Sequence, residues 1–130
     1  MLEPTKPQEE IIIKPLTAEL KFQGNDYRKD PYCVLYFGQK KLITKPNHIS
    51  SDKVPTWSDT FRCVHNNEKI LRVLVYEKNY LTKDDLYGEG AISISQLLKS
   101  GKQQVWIDLK TLENKDAGKI CLETEYRKLV

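Results

Sequence analysis

The chain has 130 residues, 39% hydrophobic and 30% charged, and Lys+Arg 21 against Asp+Glu 18 gives a formal net charge of +3. That length suits one domain, which buries roughly two-thirds of the surface its unfolded chain exposes. The charge is too mild to argue for nucleic acid. No apolar run reaches the ~18 residues of a membrane span. The polar, acidic start, Met1 to Glu10, lacks the basic-then-apolar order of a secretory leader. No lipidation motif marks either end. A cytoplasmic protein is expected, with membrane or cytoskeletal association left open.

Residues 1–9 read as a tail, 10–127 as the domain and 128–130 as its end. Ile11-Ile12-Ile13 opens the first strand. Tyr32 to Phe37 is the second, stopped by Gly38-Gln39, and Lys41 to Thr44 the third, ended by Pro46-Asn47. From Trp57 to Val64, alternation puts Trp57, Asp59, Phe61 and Cys63 on one side, and Asn66-Asn67 turns the chain. Leu71 to Tyr76 is β-branched and aromatic. Ala91 to Ile94 is short, Val105 to Leu109 follows, and Ile120 to Tyr126 alternates after Gly118. One short helix is predicted, with Ser95 as N-cap, Gln96 to Lys99 as its body and Gly101 as its stop. About eight strands between Gly, Pro and Asn turns predict an all-β fold, an eight-stranded antiparallel β-sandwich rather than a βαβ fold.

Cys33, Cys63 and Cys121 are odd in number and form no CxxC pair, so free, partly buried thiols are expected. A zinc site borrowing His48 and His65 is the alternative, and the spacings do not match it. No nucleophile, metal or phosphate-loop motif supports catalysis, so no enzyme and no small-molecule substrate are expected. Two segments do place oxygen-rich side chains at strand ends: Asp30-Pro31-Tyr32, and Glu77-Lys78-Asn79 followed by Asp84-Asp85 and Gly88-Glu89. Carboxylates at fixed offsets on such loops suit a hard cation such as calcium.

The stretches DPYCVLYFG (30–38), PTWSDTF (55–61), LRVLVYEKNYLTKDDLYGEG (71–90), VWIDL and GKICLETEY together resemble the C2 domain family, over about residues 10–127. The order of segments resembles the type II, circularly permuted variant, which implies both termini at one pole and the binding loops at the other. The resemblance implies five acidic calcium positions. Gly24 stands at the first, with Asn25 and Asp26 off-register. Asp30 matches the second, Glu77 stands at the third, Asn79 replaces the fourth and Asp85 matches the fifth, with Thr82 at an auxiliary oxygen position. Asp30 could equally be retained to cap its turn. Charges in the loops cancel: residues 23–30 sum to zero, 45–54 to +1 and 77–87 to −1. A calcium site is therefore expected to be incomplete, with calcium a weak ligand and no other cofactor implied.

Three further surfaces follow from the resemblance. Tyr80-Leu81 occupies the lipid-inserting loop tip, with Ile49 assisting from the second loop. Lys41, with Lys40 and Lys45 close by, falls in the family's basic patch, although Val34 and Tyr36 stand where lysines would complete it. Tyr32, Val34 and Tyr36 on one strand, and Leu74 and Tyr76 on another, would form an apolar outer stripe suited to a protein partner. Residues 1–9 or the 95–110 connection are the alternative covers for that stripe. The leading expectation is a non-catalytic, calcium-independent protein-binding or scaffolding module, as in a small subunit of a larger assembly. The alternative is a peripheral module making calcium-assisted contact with anionic phospholipid.

Overall fold

In the computed structural model the described residues are 8–21, 28–50, 54–99 and 101–129. The strands are β1 (Gln8–Leu20), β2 (Arg28–Lys29), β3 (Pro31–Phe37), β4 (Lys40–Ile43), β5 (Ile49–Ser50), β6 (Phe61–His65), β7 (Ile70–Glu77), β8 (Asp85–Ser93), β9 (Gly101–Lys110) and β10 (Asp116–Leu129). Eight of them pair in the order β4-β3-β7-β8-β9-β10-β1-β6, and β2 pairs with β5 apart from these. These strand pairings are antiparallel. Between β8 and β9 the register holds a single pair, Glu89 with Lys110. The order therefore divides there into two four-stranded halves, β4-β3-β7-β8 and β9-β10-β1-β6, which close on one another as a sandwich.

Alternation fills the space between the halves. Cys33, Leu35 and Phe37 from β3 and Leu71, Val73 and Val75 from β7 face Ile11 and Ile13 from β1, Ile107 and Leu109 from β9, and Ile120 and Leu122 from β10. Each buried side chain of this size contributes roughly 1.5–3 kcal/mol relative to exposure. All three cysteines are buried and unpaired, as expected. Burial pushes each thiol above its ordinary value, so none is a reactive thiolate near neutral pH.

The long β1–β10 ladder sets the poles. Gln8 pairs with Leu129 at one end and Leu20 with Gly118 at the other. Both ends of the described chain thus share a pole, and residues 28–30, 44–50, 54–60 and 78–84 gather at the opposite one, as the permuted order implies. A register shift falls between Pro15 and Thr17. Pro15 has no N–H to offer the ladder, so a bulge absorbs it.

Details depart from expectation. The first strand begins at Gln8, inside the stretch read as a tail. The predicted strand from Trp57 begins only at Phe61, because Trp57 is held by single bonds instead: its amide donates to the Leu16 carbonyl (3.1 Å) and its Nε1 to the Pro31 carbonyl (3.1 Å). The predicted helix is a 3₁₀ turn over Ile94–Leu97, with Ser93, not Ser95, at the N-cap. Ile94 and Leu97 are both buried, and a spacing of three matches the 3₁₀ repeat. Gly101 opens β9 with a φ of 85° rather than ending a helix.

Two glycines make close approaches possible. A Cβ on Gly118, whose φ is 109°, would lie 1.9 Å from the Glu19 carbonyl oxygen. One on Gly90 would lie 2.2 Å from the Asp108 carbonyl oxygen and 2.8 Å from Ile107 Cγ2, at the join between the halves. Backbone cannot yield there as a flexible side chain could. Gly90→Ala is expected to lower stability by about 1–3 kcal/mol, read as a lower urea midpoint. An unchanged midpoint would show that the join is loose.

Candidate functional site

The loop pole is built where β3 and β7 end together, Pro31 pairing with Glu77. Just outside that pair, the Lys78 amide donates to the Asp30 carbonyl at 3.0 Å, tying the first loop to the third. The Asn47 amide donates to the Pro31 carbonyl at 2.9 Å, and the second loop is fixed to the same strand end. Asp30, Glu77, Asn79 and Asp85 are therefore carried to one pole.

Their oxygens are engaged by the protein itself. The Asp30 carboxylate contacts His48 Nδ1 of the second loop. Asn79 Nδ2 donates to the Lys83 carbonyl (2.7 Å) and to the Asp85 carboxylate (3.1 Å). Glu77 also has partners within the chain. Thr82 Oγ1 makes only a long contact, 3.5 Å, with the Lys83 carbonyl. Gly24, Asn25 and Asp26 lie outside the described residues.

Asp84, off the expected register by one residue, is bonded by three groups at this pole. It accepts from the Tyr32 hydroxyl and from the Asn79 amide (2.9 Å), and Lys78 Nζ lies 3.8 Å away. The Tyr32 hydroxyl, then the Asn79 amide, holds the Asp84 carboxyl below its ordinary value. Burial, then the Asp84 carboxylate, raises the Tyr32 phenol far above its own. His48 is not among the loop residues that the sequence assigns to the site, and Asp84, named there in the oxygen-rich run, matches none of the five positions that the resemblance implies. The only cue to Asp84 is its adjacency to Asp85, and nothing local ties His48 to Asp30.

A calcium ion takes six to eight oxygens stripped of competing partners. Here Asp30 faces an imidazole, Asp84 a phenol and an ammonium, and Asp85 an amide. Among the described residues no three His, Cys, Asp or Glu side chains converge as a metal site. The same holds for a zinc site using His48 or His65. Among the described residues, these oxygens are engaged with protein donors rather than gathered around one point.

At the tip of the third loop Leu81 is 98% exposed and Tyr80 74% exposed. Ile49, expected to assist, is 8% exposed and sits in the β2–β5 pair opposite Lys29, so it is not available to a surface. The basic patch also needs correction. Lys41 pairs with Tyr36 and Lys40 with inward-facing Phe37, so adjacent lysines point to opposite faces of β4. Lys40 Nζ reaches instead across the open side of the sandwich to the Arg62 carbonyl of β6 at 3.3 Å. Lys45 is exposed beyond the end of β4.

The apolar outer stripe is present and largely shielded. Val34 is directly opposite Leu74, and they are only 4% and 6% exposed. Aromatic pairs of the same two strands flank them. On one side Tyr32 stacks on Tyr76, ring centroids 5.6 Å apart. On the other the Arg72 guanidinium lies 5.3 Å over the Tyr36 ring while pairing with Glu89 at 3.3 Å. Little apolar area is left wet for a partner.

The Tyr32–Asp84 contact makes a prediction with a definite sign. A carboxyl held low by folding contributes stability that is present above its ordinary 3.8 and is lost as pH falls through the folded value. In Tyr32→Phe, Asp84 is expected to titrate nearer 3.8, and less stability is lost on acidification below that pH. A carbon-detected NMR titration of Asp84 checks this, and an unmoved titration would show that the phenol does not hold it.

Comparison with known proteins agrees with this architecture. The family model described as "C2 domain" matches residues 14–109. Mouse extended synaptotagmin-1 is 28% identical over 119 residues, covering 88% of this chain and 10% of that protein. The chain thus spans about a tenth of the curated relatives it matches. Among solved structures, a C2 domain of plant extended synaptotagmin 1 superposes with a TM-score of 0.81 at 15% identity, covering 97% of this chain and 99% of that one. A C2 domain-containing protein from a putative elicitor-responsive gene gives 0.75 at 16% identity over 100% of this chain and 96% of that one. No helix among the described residues is long and apolar enough to cross a membrane. With the model covering most of its length and its strands in the permuted order, the chain belongs to the C2 domain family.

Proposed function

We propose that this chain is a non-catalytic binding module that seats its loop pole on a phospholipid surface without calcium. The observation that carries the reading is Leu81, 98% exposed at the apex of the third loop beside Tyr80. A leucine held in water at a loop tip gains by entering an acyl boundary, and a tyrosine suits the headgroup level beside it. Lys78 and Lys83 flank the tip with positive charge. Calcium independence rests on the protein partners of Asp30, Asp84 and Asp85. Those groups already hydrogen-bond the carboxylates that a bridging ion would have to claim.

The similarity to extended synaptotagmins supports a lipid surface over a protein partner. The shielding of Val34 and Leu74 points the same way, against the strand-face scaffolding that the sequence favours. Two inserted side chains supply roughly 3–5 kcal/mol before the costs of association. A single module of this kind binds weakly and gains by linkage to a second one.

Co-sedimentation with mixed phosphatidylcholine–phosphatidylserine vesicles tests the reading. The wild-type chain is expected to pellet equally with calcium and with chelator, and Leu81→Asp to lose at least about tenfold in partitioning while keeping its melting temperature. Pelleting that requires calcium, or that ignores Leu81→Asp, would overturn it.

A further inference from the structure

The join between the two halves is paired at one end and open beyond it. Glu89 and Lys110 are in register, and Gly90 lies against the Asp108 backbone. Past that point β8 and β9 have no register pair among the described residues. The 3₁₀ turn closes the far end, where Gln103 Nε2 donates to the Gln96 carbonyl at 3.2 Å. Between these closures lies a cleft of about 320 Å³ lined by Ala91, Ser93, Gln96, Trp106 and Asp108 among others. Two strand edges face it without pairing to each other, which is the condition for accepting an added extended segment.

The wall of the cleft carries the specificity. Trp106 is 46% exposed, although β9 pairs it with Cys121, which is almost fully buried. About half of the side chain stays wet. Wet tryptophan on a strand is an anchor type at protein interfaces. Asp108, two residues on and on the same side, is exposed and has no hydrogen bond or ion pair among the described residues. Its cross-strand neighbour Lys119 is engaged elsewhere: the ammonium lies 4.8 Å over the Trp106 ring and 3.7 Å from Glu19. Asp108 also borders the adjoining hollow, where Glu19 and Asp116 are answered by Lys119 and Lys21. Of the three carboxylates there, Asp108 is the one left uncompensated. An unanswered carboxylate beside a half-wet indole, next to open strand edges, fits a cationic side chain on an extended chain, paired to Asp108.

We propose that the cleft between β8 and β9, walled by Trp106 and Asp108, docks an extended segment of a partner protein carrying a lysine or arginine. Ala91 is six residues beyond the loop end of β8, roughly 20 Å along the strand. The surface is therefore separate from the Tyr80-Leu81 tip, and its test stands apart from the vesicle experiment.

Phage-displayed random heptapeptides selected on the isotopically labelled full chain supply the probe. Enriched peptides are expected to contain lysine or arginine and to shift the Trp106 indole resonance and the Ala91 to Ser93 amides. Asp108→Asn is expected to weaken them at least about tenfold, Asp108→Glu to restore most of the binding, and Glu113→Gln to change nothing. Thermal melts establish that each variant folds. No enrichment, enrichment without a basic residue, equal binding to Asp108→Asn, or shifts confined to the loop pole would overturn the proposal. So would displacement of Trp106 contacts by phosphatidylcholine vesicles alone, since the surface would then serve lipid.

Discussion

The antiparallel ladder between β1 and β10 is the constraint on which the rest of the molecule rests. It zips the first and last described strands together from Gln8–Leu129 to Leu20–Gly118. Its inner residues, Ile11, Ile13, Ile120 and Leu122, form one wall of the core. Because the ladder fixes both described ends at one pole, the loops that carry the candidate site emerge at the other. The same pairing is the longest-range in the chain, so its loop-closure entropy must be met before the sandwich exists. Near its beginning, Glu9 receives the Tyr126 hydroxyl at 2.9 Å and contacts His65 Nδ1 at 3.0 Å. That joins β1, β6 and β10 at the pole where the ends meet.

At the opposite pole the described carboxylates are engaged by the protein's own donors. Here the donors come from within: an imidazole on Asp30, a phenol and an amide on Asp84, and a carboxamide on Asp85. These contacts, with the amides of Asn47 and Lys78, cross-link all three loops without a ligand. The pole is therefore preorganised, and side chains at its tip are presented at a fixed position rather than ordered on binding.

Much of this is legible in the sequence, and the rest is lost for identifiable reasons. Alternation in Cys33-Leu35-Phe37 and Leu71-Val73-Val75 marks inner faces that the structure buries. The two-residue pair β2–β5 escapes, since two residues cannot show a period. The helix start is misplaced because Ser93 and Ser95 are equally good caps in isolation, while burial of Ile94 and Leu97 decides between them. Alternation also puts Val34 and Leu74 on the outer face, yet gives no sign that they are almost fully buried there. Lateral neighbours come from register, and register is long-range information. For the same reason the partners of Asp30 and Asp84 are invisible: His48 and Tyr32 are distant from them in sequence.

One small contact links the two outermost strands of the order. β4 and β6 are the outermost strands of the ordering, and a bare strand edge invites pairing with another chain. Lys40 extends its ammonium from β4 to the Arg62 carbonyl of β6. A cation seated on that carbonyl occupies an acceptor that an incoming backbone amide would need, and two such edges brought together would set like charges against each other. The lysine expected in the basic patch is thus turned toward the opposite edge strand, tying the two outermost strands of the order to each other.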